Sequence, residues 1–167
     1  MKTISIIATV VMLGVLYLAA MAHKIDEATV EGIALGLSLE ECNSAKGTPD
    51  RTERVPPADM WAFYPDELSV RFSMNPNGGW SVNEVWGASL EEAGRVIVRR
   101  GMSVAQVKQV LGPPLSQQEG PKNSILMVYA LPTKRHSLMI QFFGDNVGFV
   151  GVSTVKSGIP GFRHREG

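Results

Sequence analysis

The side chains that could support catalysis or bind a metal are few and far apart in this sequence. The three histidines, His23, His136 and His164, form no i, i+4 pair and have no cysteine or carboxylate at the spacing of metal ligands. Cys42 is the only cysteine, which excludes an internal disulfide, a cysteine-based zinc site and an iron–sulfur cluster. Nucleophile-elbow, P-loop and dinucleotide-binding motifs are also missing. We therefore predict no metal, no cofactor and no enzyme; catalysis would require distant residues to converge on folding.

Adjacent acidic residues are the remaining pattern that could indicate acid–base chemistry. Three of the four pairs fit the first turn of a helix, where negative charge interacts favourably with the helix dipole. Helix capping therefore explains these pairs more simply than catalysis does. The pairs are Asp26-Glu27, Glu40-Glu41, Asp66-Glu67 and Glu91-Glu92.

The composition is that of a compact globular protein. Of 167 residues, 44% are hydrophobic and only 19% are charged, which excludes a disordered chain. The formal net charge is zero, which argues against a dedicated nucleic-acid-binding protein. The charge is unevenly distributed, however. Residues 23–92 carry 13 acids and five bases, whereas residues 93–167 carry three acids and ten bases.

The N-terminal segment predicts export. Thr3 to Ala22 form 20 consecutive uncharged and mostly apolar positions after Lys2. This length suffices for a membrane-spanning helix. The same residues also fit a signal peptide, with Ala20-Met21-Ala22 as a small-x-small cleavage site. Both alternatives for residues 1–22 place the rest of the chain in the periplasm, held at the inner membrane if the segment is not cleaved.

The remainder of the chain contains an internal duplication. Many landmarks recur at an offset of 65 residues, and Phe72 matches Phe142 if five residues are inserted in the turn around 132–136. The pattern indicates a first unit at 23–87, a second unit at 88–156, and a basic tail containing Gly and Pro at 157–167. The matched pairs are Gly36–Gly101, Ser38–Ser103, Gly47–Gly112, Pro49–Pro114, Tyr64–Tyr129, Val82–Val147 and Val85–Val150.

Each unit is predicted to begin with a helix, and specific residues mark where that helix starts and ends. Ser38 and Ser103 open capping boxes, in which the serine oxygen accepts a backbone N–H and the acid or amide three positions on accepts the N–H of the serine. Gly47 and Gly112 supply the left-handed residue that ends each helix. Cys42 occupies the position of a buried apolar residue, so we interpret it as a core side chain.

Strand patterns follow each helix. Leu138, Ile140 and Phe142 alternate with Met139, Gln141 and Phe143, so the first set is expected to face inward and the second outward. The segments 25–35 and 89–100 precede the capped helices and are predicted to be helical. The predicted fold class is α+β: two tandem units, each with two helices and an antiparallel meander, behind an N-terminal apolar helix. The predicted strands are 61–64, 68–74 and 80–86, then 125–131, 137–143 and 147–155.

The second unit resembles the SmpA/OmlA (BamE-like) envelope domain. The resemblance rests on GMSVAQVKQVLGPP, followed by Tyr129 and the strands that end in FFGDNVGFV. GLSLEECNSAKGTPD makes the first unit a weaker match. A tandem pair of such units is also similar to the fold of the β-lactamase inhibitory protein. The resemblance implies a non-catalytic module that docks on an envelope complex, or a secreted inhibitor that grips an enzyme.

Two candidate interaction surfaces follow from these patterns. Strand alternation must place some aromatic residues on the sheet face away from the helices, where they could bind a protein. The candidate protein-binding residues are Trp61, Phe63, Met139, Gln141 and Phe143. The candidate basic patch is Arg99, Arg100, Lys134, Arg135, Arg163 and Arg165.

The expected function is a non-catalytic scaffold that docks on and stabilises a membrane protein complex, and the alternative is a secreted or periplasmic enzyme inhibitor. The expected partner is an envelope protein complex. Anionic lipid could bind the basic second half of the chain, and two copies of the chain could associate head to tail through their oppositely charged halves. No nucleic-acid partner is expected.

Overall fold

The computed structural model describes residues 27–131 and 136–154, and in these ranges the chain forms eleven strands, two helices and two short 3-10 turns. The first part of the chain contains β1 (Ala28–Val30), α1 (Leu39–Lys46), β2 (Arg51–Val55), β3 (Asp59–Phe63), β4 (Ser69–Met74) and β5 (Trp80–Gly87). The second contains β6 (Ser89–Glu92), β7 (Arg95–Arg99), α2 (Val104–Leu111), β8 (Ser116–Glu119), β9 (Ser124–Ala130), β10 (Ser137–Phe143) and β11 (Asn146–Ser153). The turns are Pro65–Glu67 and Pro121–Asn123.

One antiparallel sheet of eight strands organises the molecule. Its order is β2-β3-β4-β5-β11-β10-β9-β8, so each unit contributes a meander of four consecutive strands. The two meanders join where β5 pairs with β11, from Gly87↔Val150 to Glu84↔Ser153. Each meander contributes its last strand, β5 or β11, to this contact. The eight-stranded sheet is therefore pseudo-symmetric about the β5–β11 pair.

The predicted α+β class is wrong, since the described chain is mostly β. The segment 89–100 forms the hairpin β6–β7 rather than a helix, and residues 28–30 of the segment 25–35 form β1. These strands make a second sheet in the order β1-β6-β7. Ala93 and Gly94 turn the hairpin with φ of 48° and 75°, the backbone of a two-residue turn, and RVIVR then continues as a β-branched strand.

Both capped helices are confirmed. The Ser38 Oγ accepts the Glu41 backbone N–H at 3.2 Å, and the Glu41 carboxylate accepts the Ser38 N–H at 2.7 Å. Ser103 and Gln106 repeat the box with N–O distances of 3.2 and 2.8 Å. Gly47 and Gly112 end the two helices with φ of 82° and 78°. Neighbouring residues therefore set both ends of each helix.

The predicted 65-residue offset also appears in the hydrogen bonds that tie each helix to its meander. The Val82 N–H donates to the Leu37 carbonyl at 2.8 Å, and the Val147 N–H donates to the Met102 carbonyl at the same distance. The pairing of β4 with β5 shifts at a β-bulge that leaves Asn83 of β5 unpaired, and the pairing of β10 with β11 shifts at one that leaves Gly148 of β11 unpaired, again 65 residues apart. The two units are thus built on one plan.

The core lies on one face of the eight-stranded sheet, called here the inner face. Phe72, Leu138, Ile140 and Phe142 are fully buried there, together with Cys42 from α1. The three-stranded sheet adds Val30, Leu90 and Val98 to the same cluster of buried residues. The other face of the large sheet, called the outer face, carries the alternate residues of each strand.

No helix within residues 27–131 and 136–154 is long and apolar enough to cross a membrane. The predicted signal peptide or anchor at residues 1–22 and the basic tail at 157–167 both lie outside the described residues.

Candidate protein-binding surface

Strand register determines which side chains share the outer face. Trp61 on β3 lies opposite Arg71 on β4, which lies opposite Glu84 on β5. In the next row, Ser69 on β4 lies opposite Trp86 on β5. That row continues across the joint through Gly151, Met139 and Val128. Aromatic and charged residues of the first unit therefore share a continuous surface with apolar residues of the second.

The first unit presents an aromatic pair capped by an arginine. The rings of Trp61 and Phe63 are stacked with centroids 6.3 Å apart, and both residues are partly exposed. The Arg51 guanidinium lies 4.4 Å from the centroid of the Phe63 ring, within cation–π range. We call Trp61, Phe63 and Arg51 the first aromatic cluster.

The second unit presents a similar arrangement on the same face. Phe143 and Phe149 pack edge to face with centroids 6.3 Å apart, and both residues are partly exposed. The Arg100 guanidinium lies 4.9 Å from the Phe149 centroid. We call Phe143, Phe149 and Arg100 the second aromatic cluster.

Met139 and Gln141 lie on the outer face but are each only 5% exposed. The Trp86 ring accounts for part of this burial: it lies so close over Gly151 that a Cβ at position 151 would stand 2.6 Å from it. Met139 is opposite Gly151 across β10 and β11. Large side chains thus pack against each other on this face, which strand alternation could not indicate.

A buried polar network crosses the first half of the outer face, and sequence reasoning missed it. Trp86 Nε1 donates to Glu84 Oε1 at 2.6 Å, and Arg71 Nη1 lies 3.5 Å from the other oxygen of that carboxylate. Arg71 Nη2 also donates to Asp59 Oδ2 at 2.5 Å. Ser73 donates to the second Asp59 oxygen at 2.5 Å. The available signal was a pair of opposite charges, Arg71 and Glu84, which are the only charged residues of β4 and β5.

The network contains two carboxylates and one guanidinium, so the two acids titrate differently. Glu84 is fully buried, and this desolvation raises its pKa above 4.5 despite the hydrogen bond from Trp86 and the charge of Arg71. Burial also acts to raise the pKa of Asp59. Its hydrogen bonds from Ser73 and Arg71, together with the charge of Arg71, outweigh burial and hold that pKa below 3.8.

We expect a Glu84→Gln substitution to remove part of the pH dependence of stability. Because the pKa of Glu84 is raised on folding, its protonation favours the folded state fully below pH 4.5, and this contribution disappears as the pH rises through the raised pKa. Asp59 acts oppositely: its contribution is present above pH 3.8 and is lost as the pH falls through its lowered pKa. Urea unfolding of both proteins from pH 8 to pH 4 measures the difference. Parallel curves for the two proteins would contradict the assignment.

The second unit replaces this charged network by a neutral one. Gln141 and Ser124 correspond to Arg71 and Asp59, and Gln141 Nε2 donates to Ser124 Oγ at 3.1 Å. Phe149 stands at the position of Glu84, offset by 65 residues. Among the described residues the Gln141 Oε1 atom is buried without a hydrogen-bond partner. A phenyl ring at position 149 offers this oxygen no N–H or O–H donor.

The predicted basic patch is only partly described. Arg99 and Arg100 are exposed at the end of β7, and Arg100 pairs with Glu67 of the first unit. Lys134, Arg135, Arg163 and Arg165 lie outside the described residues.

Within residues 27–131 and 136–154, no group of three or more His, Cys, Asp or Glu side chains is placed to hold a metal ion. Cys42 is buried, and burial followed by the charge of Glu41 raises the pKa of its thiol to about 11. The thiol is therefore protonated near neutral pH and a poor nucleophile.

No family model matches the chain, and no curated protein matches it. The SmpA/OmlA resemblance thus remains one of local residue patterns. Among solved structures, a DUF4309 family protein (YjgB) from Bacillus subtilis is similar, with a TM-score of 0.49 and 15% identity over 74% of this chain and 83% of that one. A candidate β-lactamase inhibitor protein from Streptococcus mutans has a TM-score of 0.27 and 15% identity, covering 77% of this chain and 90% of that one. Neither description names a catalytic family.

Proposed function

We propose that this chain is an exported, non-catalytic protein-binding module that docks on its partner through the outer face of the eight-stranded sheet. The observation that carries the proposal is the presence of two arginine–aromatic clusters on one face, one from each unit. Tryptophan and arginine are enriched among the residues that dominate binding energy at protein interfaces.

Buried side chains between the two aromatic clusters keep this face of the sheet ordered, which favours binding without large rearrangement. Trp86, Met139 and Glu84 are buried on the same face and hold the strands between the two clusters. Stacked or edge-to-face rings also lose little further side-chain freedom when a partner covers them. An interface with ordered side chains forms at a smaller entropic cost than one made of free side chains.

The partner we propose is an envelope or membrane protein complex. This part of the proposal is supported by the apolar segment at residues 3–22, which either directs export or anchors the chain at the inner membrane. The module would then present its sheet face in the periplasm and stabilise the complex on which it docks.

Site-specific photo-cross-linking in the native host tests the proposed surface. A benzoyl-phenylalanine at position 63 or 143 replaces one aromatic side chain by another, and the same residue at Lys108, which is exposed on α2, provides the matched control. We expect a discrete protein adduct from positions 63 and 143 and none from position 108. Adducts from position 108 alone would move the interface to the helical side.

The identity of the adduct distinguishes the scaffold from the alternative function. A membrane complex that loses stability when this chain is deleted would support the scaffold. A single enzyme whose activity falls on addition of the purified chain would instead support an inhibitor. A scaffold and an inhibitor would both bind through the same sheet face. The position of the cross-link therefore tests the binding surface, and the identity of the adduct tests the class of partner.

A further inference from the structure

Arg100 is held in place by contacts that do not involve its ion-pair partner. Its backbone N–H donates to the Ala88 carbonyl at 2.7 Å, and its Nε donates to the Gly148 carbonyl at 3.0 Å. The guanidinium also rests over the Phe149 ring. The side chain is nevertheless 44% exposed, so this positive charge is both positioned and accessible.

Glu67 supplies the carboxylate that pairs with Arg100. It belongs to the turn Pro65–Glu67 of the first unit, and its side chain is 60% exposed. Exposed ion pairs contribute little to stability because water solvates both partners nearly as well. A carboxylate from another molecule could therefore replace Glu67 at small cost to the fold.

The strands beside Arg100 carry no charged side chain. β9, β10 and β11 contain no Lys, Arg, Asp or Glu. Phe143 and Phe149, which pack edge to face and are partly exposed, provide the apolar contact. A ligand suited to this place combines a negative charge with an apolar side chain.

We propose that the second aromatic cluster binds a loop of the partner protein that carries a carboxylate beside an apolar side chain, with this carboxylate displacing Glu67 from Arg100. The inference rests on the proposed function and specifies the partner's chemistry. A planar guanidinium binds a carboxylate through two parallel hydrogen bonds, and only two of the five N–H donors of Arg100 are used within the described chain. The excess of bases after residue 92 adds long-range attraction for an acidic segment.

Selection from a display library of short random peptides on the purified chain tests the proposal. We expect the enriched peptides to contain Asp or Glu next to an aromatic or aliphatic residue. Binding of the synthesised, fluorescent peptides is then measured by anisotropy. Arg100→Ala is expected to weaken binding by about tenfold or more, the scale of a lost charged contact at an interface. Glu67→Ala is expected to strengthen it by about two- to fivefold, since it removes a weak internal competitor.

The opposite signs of these two effects separate ligand binding from a structural role. If the Arg100–Glu67 pair only holds the two units together, both substitutions weaken binding, and the proposal is overturned. Both residues are exposed, and thermal unfolding of each variant verifies that it is folded.

Other results of these experiments would assign a different ligand to the second aromatic cluster or would place the peptide elsewhere. Peptides that depend on Trp61 but not on Arg100 overturn this inference and leave the proposed function standing. Failure to enrich any peptide also overturns it, whereas the cross-links at positions 63 and 143 test the proposed function independently. Vesicles of phosphatidylglycerol are the counter-probe: binding to them that depends on Arg100, without peptide binding, would assign this cluster to anionic lipid.

Discussion

An Arg71→Met substitution is expected to destabilise the protein by about 3–5 kcal/mol, because it leaves a fully buried carboxylate without its counter-ion. Arg71 lies 3.5 Å from the Glu84 carboxylate and 2.5 Å from that of Asp59, so a single side chain serves both acids. Urea unfolding at pH 7 measures the loss.

Two further variants show whether the loss comes from the buried charge. Adding Glu84→Gln to Arg71→Met removes one uncompensated charge and should recover a large part of the stability. Arg51→Met is the matched control, because its pair with Glu53 is exposed and a change below about 1 kcal/mol is expected. Equal effects at Arg51 and Arg71 would show that the buried network does not stabilise the sheet.

Phe72→Ala and Phe142→Ala should each cost about 3–5 kcal/mol, the usual price of removing a fully buried phenylalanine. The two residues occupy equivalent positions on β4 and β10, each directly after the register shift that the bulge on the neighbouring strand produces. Their similar burial predicts similar losses in the two units.

Because the two meanders form one sheet through β5 and β11, each substitution should shift a single unfolding transition. Tryptophan fluorescence reports on the first unit through Trp61 and Trp80 and on the joint through Trp86, whereas far-ultraviolet circular dichroism reports on the whole chain. If Phe142→Ala shifts the circular dichroism transition and leaves the fluorescence transition in place, the units unfold independently.

The elements that were predicted well are those encoded by neighbouring residues. The capping boxes at Ser38 and Ser103 and the glycines at 47 and 112 fix both helices within a few residues of chain. Strand alternation likewise assigns Leu138, Ile140 and Phe142 to the core, where all three are fully buried.

The predictions failed where contacts between elements distant in sequence determine secondary structure, side-chain burial or side-chain pairing. The hairpin β6–β7 depends on an Ala93-Gly94 turn, and alanine seldom adopts a positive φ, so the turn itself gave no local signal. The β-branched run in RVIVR favours a strand, and the helix prediction for 89–100 overlooked it. Met139 and Gln141 face away from the core as expected, yet neighbouring strands bury them. The Arg71–Glu84 pair becomes recognisable only when β4 and β5 are placed side by side.

The pairing of β5 with β11 also affects how the protein folds during synthesis, because these strands are far apart in the sequence. A ribosome completes the first unit long before it reaches β11, the last strand of the described chain, so one edge of β5 has no neighbour in the nascent polypeptide. An unpaired strand edge is a template for wrong pairing with other chains. We therefore expect a nascent first unit to depend on chaperones until β11 is made, and ribosomes that stall between the two units to release an aggregating fragment.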